Sequence, residues 1–184
     1  MRRFILAITG ASGVCYAKRL FDVLKDQSEL HVVISERGVE LLKLELDLNV
    51  SYFSGKNVKL YKNSKINTCI ASGSFRTDGM VVVPASMGSI GRIASGVSST
   101  MVERAADVIL KEKRKLIVVP RETPFSTIHL KNLLTLDEAG AHILPASPGF
   151  YSGQKTLEDL VDFVVARILD LLKVDHDLMD PYQG

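Results

Sequence analysis

Apolar positions along the chain switch repeatedly between two spacings. Phe4 to Thr9 is a near-continuous apolar run of strand length, the pattern of a strand covered on both faces of a parallel sheet. From Val14 the spacing turns helical, with Ala17, Leu20, Phe21 and Leu24 on one face. Leu30 to Ser35 predicts a second buried strand, and Glu36 to Leu46 a helix with Val39, Leu42 and Leu46 on its apolar side. A short strand is expected over Val58–Tyr61. Ser64 to Asp78, rich in Ser, Asn, Thr and Gly, predicts a loop. Gly79 to Val83 predicts a strand closed by Pro84, followed by a helix starting near Ser89 that Gly96 interrupts. Ser99 to Lys113 predicts a helix buried along Val102, Ala105, Ala106, Ile109 and Leu110. Leu116 to Val119 predicts a strand. A helix capped by Ser126 or Thr127 then runs to about Asp137, and Ala141 to Leu144 makes a short strand. Thr156 and Asp159 form a capping box for a last helix, Leu157 to Leu172, and Val174 to Gly184 is a tail docked through Tyr182. Alternating strands and helices of this kind predict a three-layer α/β/α fold with a parallel, Rossmann-like sheet. One domain is expected over residues 1–184, with 173–184 as a C-terminal tail.

The turns between these elements carry the first functional signal. Gly10-Ala11-Ser12-Gly13 joins the first strand to the first helix with small residues, so unpaired backbone N–H groups are expected at a helix N-terminus, where they hold an anion or a nucleotide. The spacing is G-x-x-G, not the G-x-G-x-x-G dinucleotide fingerprint, and the second strand ends in Ser35, where a dinucleotide site usually carries an acid. A tight turn that binds nothing is the plainer alternative. Ser86-Met87-Gly88-Ser89 repeats the small, hydroxylic character after the Gly79 strand. Two such loops at one edge of a sheet face each other across a crevice, the usual ligand position in open α/β sheets.

Composition narrows the class of partner. The net charge of +2 is too small to make nucleic acid the main partner. Cys15 and Cys69 are the only cysteines and no C-x-x-C occurs, so neither a disulfide framework nor a zinc knuckle is indicated. Met1-Arg2-Arg3 runs straight into a core strand without a cleavage pattern, and no apolar run approaches the roughly 18 residues a membrane span needs. A cytoplasmic protein without a membrane segment is expected.

Charged residues supply the candidate chemistry. Arg121 and Glu122 lie between Pro120 and Pro124 at a strand's C-terminal end, where a guanidinium suits a phosphate and a carboxylate can move protons. A rim salt bridge is the alternative for this pair. Arg104 and Lys111 are seven positions apart on one helix face and can reach one anion. Arg167 interrupts an apolar helix, with Asp162 and Asp170 as ion-pair alternatives. His31, His129, His142 and His176 have no metal-ligand spacing, and no Asp-Asp pair suggests a magnesium–diphosphate site.

With these residues in view, the chain resembles the UbiX-type flavin prenyltransferases. The resemblance runs from Thr9-Gly10-Ala11-Ser12-Gly13 through Glu103–Val108, Val119–Ser126, Ile128–Leu130, Leu144–Ala146 and Pro148–Tyr151 to Asp159–Arg167. It implies a homo-oligomer, expected to be a dodecamer, of flavodoxin-like fold that binds FMN. It further implies transfer of a dimethylallyl group from dimethylallyl monophosphate to N5 and C6 of reduced FMN, without a metal. The prenylated FMN would pass to a UbiD-type decarboxylase, ubiquinone biosynthesis being one pathway served. By the same resemblance, Gly10, Ala11, Ser12, Ser35, Ser86, Met87, Gly88, Ser89 and Arg121 bind the flavin. Arg104, Lys111, Arg121, Tyr151 and Arg167 grip the prenyl phosphate, Arg104 and Lys111 from neighbouring subunits, and Ser12, Glu45 and Glu122 are the catalytic polar groups. Val83 and Ala85 stand where relatives often carry cysteines, and Tyr182 where some place a Trp over the pocket. Two other classes share elements of this pattern. A flavin-dependent cysteine decarboxylase of the same fold needs an early proton-abstracting histidine and a Pro-x-Met-Asn motif, which the chain does not match. A non-catalytic flavin carrier or decarboxylase accessory subunit has no use for a second phosphate grip.

Overall fold

The computed structural model describes residues 1–151 and 153–179. Its strands are β1 (Arg2–Ile8), β2 (Ser28–Ile34), β3 (Val58–Lys62), β4 (Gly79–Ala85), β5 (Leu116–Pro120) and β6 (His142–Ile143). They form one parallel sheet in the order β3-β2-β1-β4-β5-β6. The helices are α1 (Val14–Leu24), α2 (Glu36–Leu46), α3 (Met87–Ala94), α4 (Met101–Lys111), α5 (Thr127–Glu138) and α6 (Leu157–Leu172). This is a flavodoxin-like α/β fold.

The unbroken apolar run of β1 follows from the two cores it serves. Phe4, Leu6 and Ile8 point into one core, with α1, Leu42 of α2 and the buried face of α6. Ile5 and Ala7 point into the other, with α3, α4 and Leu136 of α5. Side chains alternate across a strand, so burial on both faces demands apolar residues at every position. Each fully buried aliphatic side chain contributes roughly 1.5–3 kcal/mol relative to exposure.

Chain order reverses across the sheet between β1 and β4, so the connections after these two strands leave the sheet on opposite faces. The last paired residues are Ala7 and Val82, beyond which the two strands part. The β4–β5 register also shifts between Val82 and Ala85. This parting creates the crevice that open α/β sheets use for ligands.

Several elements differ from the pattern-based expectation. Strand β4 continues through Pro84 to Ala85, because the Pro84 carbonyl accepts from both the N–H and the hydroxyl of Thr9. Ser35 is the N-cap of α2, its hydroxyl accepting from Gly38 N–H at 3.1 Å, rather than the end of a strand. α4 starts at Met101, not Ser99, since the buried Glu103 carboxylate takes the N–H groups of Ser99 and Thr100 and fixes them outside the helix. Val39 is exposed. Cys69–Ala71 forms a 3-10 turn inside the predicted loop and buries Ile70. In the tail, Val174 and Leu178 pack against the α6 core, while Tyr182 lies outside the described residues.

Candidate functional site

The connections after β1, β2, β4, β5 and β6 all emerge at one edge, because every strand runs the same way. The Gly10–Gly13 loop is shaped by close approach. A Cβ on Gly10 would lie 2.4 Å from Cβ of Arg37, so a larger residue would push α2 away. Gly13 has φ of 101°, the left-handed region that glycine enters without penalty. Tyr16 lies over it: a Cβ there would meet the Tyr16 ring at 3.1 Å and Cγ of Arg121 at 3.9 Å.

The start of α1 is not open, as the loop's small residues suggest. The Glu45 carboxylate accepts from Gly13 N–H at 2.9 Å and from Val14 N–H at 3.2 Å. The positive end of the helix dipole draws the nearest carboxylate, which arrives from the last turn of α2. The structure thus brings Glu45 beside Ser12, and an exogenous anion at α1 meets a negative charge already in place. The start of α3 differs. Ser86 caps it through Ser89 N–H at 3.3 Å, no acid lies in its first turn, and the N–H groups of Met87 and Gly88 have no carbonyl partner within the helix.

Arg121 follows β5 and is half-buried. Its Nε donates to the Ser12 carbonyl at 3.1 Å, spanning from the β5 loop to the β1 loop. Glu122 is exposed, its carboxylate accepting from Thr123 N–H at 3.0 Å. Among the described residues no ion pair joins Arg121 to Glu122, so each side chain faces its own surroundings.

A second cluster adjoins this one. Ala146 N–H donates to Pro120 O at 3.0 Å, which ties the β6 loop to the residue before Arg121. That loop ends in Tyr151, whose ring meets Phe163 of α6 edge-on at 5.9 Å between centroids. Gly149 permits the contact, since a Cβ there would lie 2.8 Å from the Tyr151 ring. Arg167 is one helical turn beyond Phe163 and lines the same hollow of about 380 Å³, with His142, Pro145 and Ser147. Its guanidinium pairs with Asp170 at 2.6 Å, whereas Asp162 pairs with Arg19. The predicted ion-pair alternative for Arg167 therefore exists, on a side chain still more than half exposed.

Arg104 and Lys111 are not brought to these clusters within one chain. Arg104 pairs with Asp107 at 3.0 Å on the face of α4. Lys111 ends that helix at the opposite edge of the sheet, where Arg114 bonds the Phe75 carbonyl at 2.8 Å and Met80 N–H bonds Lys115 O.

Sequence reading missed two residues that shape the site. Thr9, fully buried, bridges β1 and β4 through its hydroxyl. Glu103 is buried under Arg92 and Ser99. Burial pushes its carboxyl up, but the Ser99 hydroxyl and Arg92 outweigh that and leave it below the usual range. A hydroxyl closing an apolar strand and an acid three residues after a Thr cap were the available signals.

Comparison with known proteins gives this geometry its context. The Flavoprotein family profile matches residues 1–169. The flavin prenyltransferase UbiX of Methanocaldococcus jannaschii is 44% identical over 176 residues, covering 96% of both chains. The mitochondrial flavin prenyltransferase PAD1 of Saccharomyces cerevisiae is 45% identical over 184 residues, covering all of this chain and 76% of that one. A crystal structure of a UbiX (PadA1) in complex with FMN and dimethylallyl pyrophosphate superposes with a TM-score of 0.96 at 38% identity, covering 100% of this chain and 98% of the other. A dodecameric FMN-dependent UbiX-like decarboxylase from Escherichia coli gives 0.95 at 38%, covering 99% and 100%. A PPC decarboxylase, at 20% identity and a TM-score of 0.65 over 80% of this chain and 83% of that one, shares the fold alone. Sequence identity over nearly the whole length, together with the two adjoining clusters, leads to one conclusion: this chain belongs to the UbiX/PAD1 family of flavin prenyltransferases.

Proposed function

We propose that the chain transfers a dimethylallyl group from dimethylallyl monophosphate to N5 and C6 of reduced FMN and yields prenylated FMN for a UbiD-type decarboxylase. The observation that carries this reading is the pair of clusters joined at Pro120. One is a cradle of small residues crossed by Arg121; the other is an aromatic and cationic patch at Tyr151 and Arg167. A flavin and a phosphorylated five-carbon donor need two such seats side by side.

The residues fit a flavin. Gly10 and Gly13 let the first loop lie close against Arg37 and Tyr16, Ser35 stands beside it at the start of α2, Ser86 to Ser89 form the facing loop, and Arg121 closes the crevice from the β5 side. When bound, reduced FMN supplies the nucleophilic nitrogen and carbon, and inorganic phosphate leaves the donor with the C–O electron pair. Arg121, Tyr151 and Arg167, with Arg104 and Lys111 reaching in from neighbouring subunits, meet the phosphate charge as it grows. Lys111 lies at the far edge of its own sheet, which is why a neighbour must supply it and why assembly into a dodecamer belongs to the proposal. Ser12 and Glu45 flank the flavin at the α1 start, and Glu122, exposed and among the described residues in no ion pair, exchanges the proton lost at C6. Residues 1–184 act as one domain with 173–184 as its tail, working in the cytoplasm; among the described residues no helix is long and apolar enough to cross a membrane.

The test is direct. The protein is incubated anaerobically with reduced FMN and dimethylallyl monophosphate, or the pyrophosphate in a parallel sample, and the flavin is examined by mass spectrometry. The expected result is FMN plus one five-carbon unit from the monophosphate. An unmodified flavin with either donor overturns the proposal.

A further inference from the structure

We propose that Thr9 is a positioning residue that sets the separation of the two crevice-forming loops, an inference that rests on the flavin reading above. Parallel pairing between β1 and β4 ends at Ala7 and Val82, and the two chains then diverge into the Gly10 and Ser86 turns. Something other than the ladder must hold their ends together. Thr9 does so with both its backbone and its side chain. Its N–H donates to Pro84 O at 3.2 Å and its hydroxyl donates to the same oxygen at 2.8 Å. The hydroxyl oxygen in turn accepts from Ser86 N–H at 2.7 Å. One buried hydroxyl thereby acts as a rung across the gap where the ladder stops.

The consequence reaches the site through Ser86. Its backbone is fixed by Thr9, and its hydroxyl donates to Ser89 Oγ at 3.0 Å while accepting from Ser89 N–H at 3.3 Å. The orientation of the first turn of α3 therefore depends on a residue that is itself fully buried. On the other side, Ala11 N–H bonds the Thr9 carbonyl at 2.9 Å, so the β1 loop springs from the same residue. Valine has the same shape and strand preference as threonine but cannot accept from Ser86, whose part-buried N–H would then lose its partner. Pre-organisation of both walls, rather than contact, is what Thr9 contributes.

The experiment compares wild type, Thr9→Val and Thr9→Ser by FMN titration, by far-UV circular dichroism and by amide hydrogen exchange at Ser86. We expect Thr9→Val to fold and to raise the FMN dissociation constant at least tenfold, with exchange at Ser86 accelerated. Thr9→Ser, which keeps the hydroxyl, restores affinity to within threefold of wild type. A purely structural role would lower the melting temperature without changing FMN affinity in the folded protein. Valine affinity within threefold of wild type overturns the proposal. So does a tenfold loss in the serine variant, or an unprotected Ser86 amide in wild type. If the valine variant does not fold, the serine affinity and the wild-type exchange rate decide. Wild type that does not bind FMN overturns the flavin reading and this inference with it, whereas valine affinity matching a binding wild type overturns the role of Thr9 alone.

Discussion

Arg121 reaches back 109 positions to the Ser12 carbonyl, Nε donating at 3.1 Å, and so closes the loop edge of the sheet between β1 and β5. The contact uses one of five guanidinium N–H donors and leaves the rest of the fork for an anion. A lysine at this position has no planar fork with which to hold the carbonyl and a phosphate together. Arg121→Lys is expected to weaken FMN binding about tenfold, equivalent to about 1.4 kcal/mol, and Arg121→Ala more. Flavin fluorescence titration checks both; an unchanged dissociation constant in Arg121→Ala removes this residue from the crevice.

Glu122 stands next in the chain but has a different environment. Its carboxylate is exposed and accepts only a neighbouring backbone N–H among the described residues, so it is available to a proton in transit. Glu122→Gln keeps the shape and the hydrogen bond and removes the basicity. The expected outcome is a fall in prenylation rate of about 10²-fold, typical for loss of a general acid–base group, with FMN affinity unchanged. Single-turnover mass spectrometry with reduced FMN and donor measures it; an unimpaired rate excludes Glu122 from proton transfer.

The fold was legible in the sequence because both faces of the sheet are buried: the runs at Phe4 and Leu30 have no other use, and their order with the intervening helices determines a parallel sheet. Helix limits were legible where a cap is local, as at Thr156 with Asp159 for α6. At α4 the same local box, Thr100 with Glu103, stands beyond the expected start at Ser99, and Glu103 also takes the Ser99 N–H; α1 begins at Val14 as its spacing requires, but the carboxylate that closes it, Glu45, crosses from α2 and is not legible in that spacing. The Gly10 and Ser86 turns were expected at one edge of the sheet, and they do leave the neighbouring strands β1 and β4 there, since both are small-residue exits from apolar strands. Thr9, the residue that couples them, looks in sequence like the last letter of a strand. Arg104 and Lys111 share a helix face as their spacing requires, yet within one chain Arg104 pairs with Asp107 and neither joins the two clusters, which periodicity alone does not encode.

Arg167 can be tested against its own ion pair. Its guanidinium is held by Asp170 at 2.6 Å, and Asp170 is also within 3.2 Å of Nε2 of His176. If Arg167 grips the donor phosphate, Arg167→Ala raises the KM for dimethylallyl monophosphate about tenfold or more, with FMN binding unaffected. Asp170→Asn removes the competing carboxylate and lowers that KM slightly, because exposed pairs of this kind are worth only about 0.2–1 kcal/mol. Equal donor KM in wild type and Arg167→Ala assigns Arg167 to the surface pair alone.

Acid sensitivity is expected to come from a site remote from the flavin. His31 is buried in β2, with Nδ1 2.7 Å from the Tyr61 hydroxyl and Nε2 2.9 Å from Glu29. Tyr61 stacks on it, Phe75 meets it edge-on at 5.0 Å, and the Tyr61 hydroxyl continues to the Cys69 thiol at 3.1 Å. Burial holds the imidazole below its usual pKa; Glu29 opposes this and does not overcome it, while Arg3 and Lys59 reinforce it. A folded-state pKa below the unfolded one gives stability that is present above the unfolded value of about 6.5 and is lost as pH falls through the folded value. Asp22 and Glu103, depressed carboxyls in the same chain, act in the same sense but only in the carboxylate range, well below this window. Thermal melts at pH 7.5 and 5.5 should therefore show a lower melting temperature at the acid value. His31→Gln, which keeps a hydrogen-bonding group toward Tyr61 without titrating, should shrink the difference. A variant whose melting temperature falls between the two pH values as much as wild type would place the acid-sensitive group elsewhere.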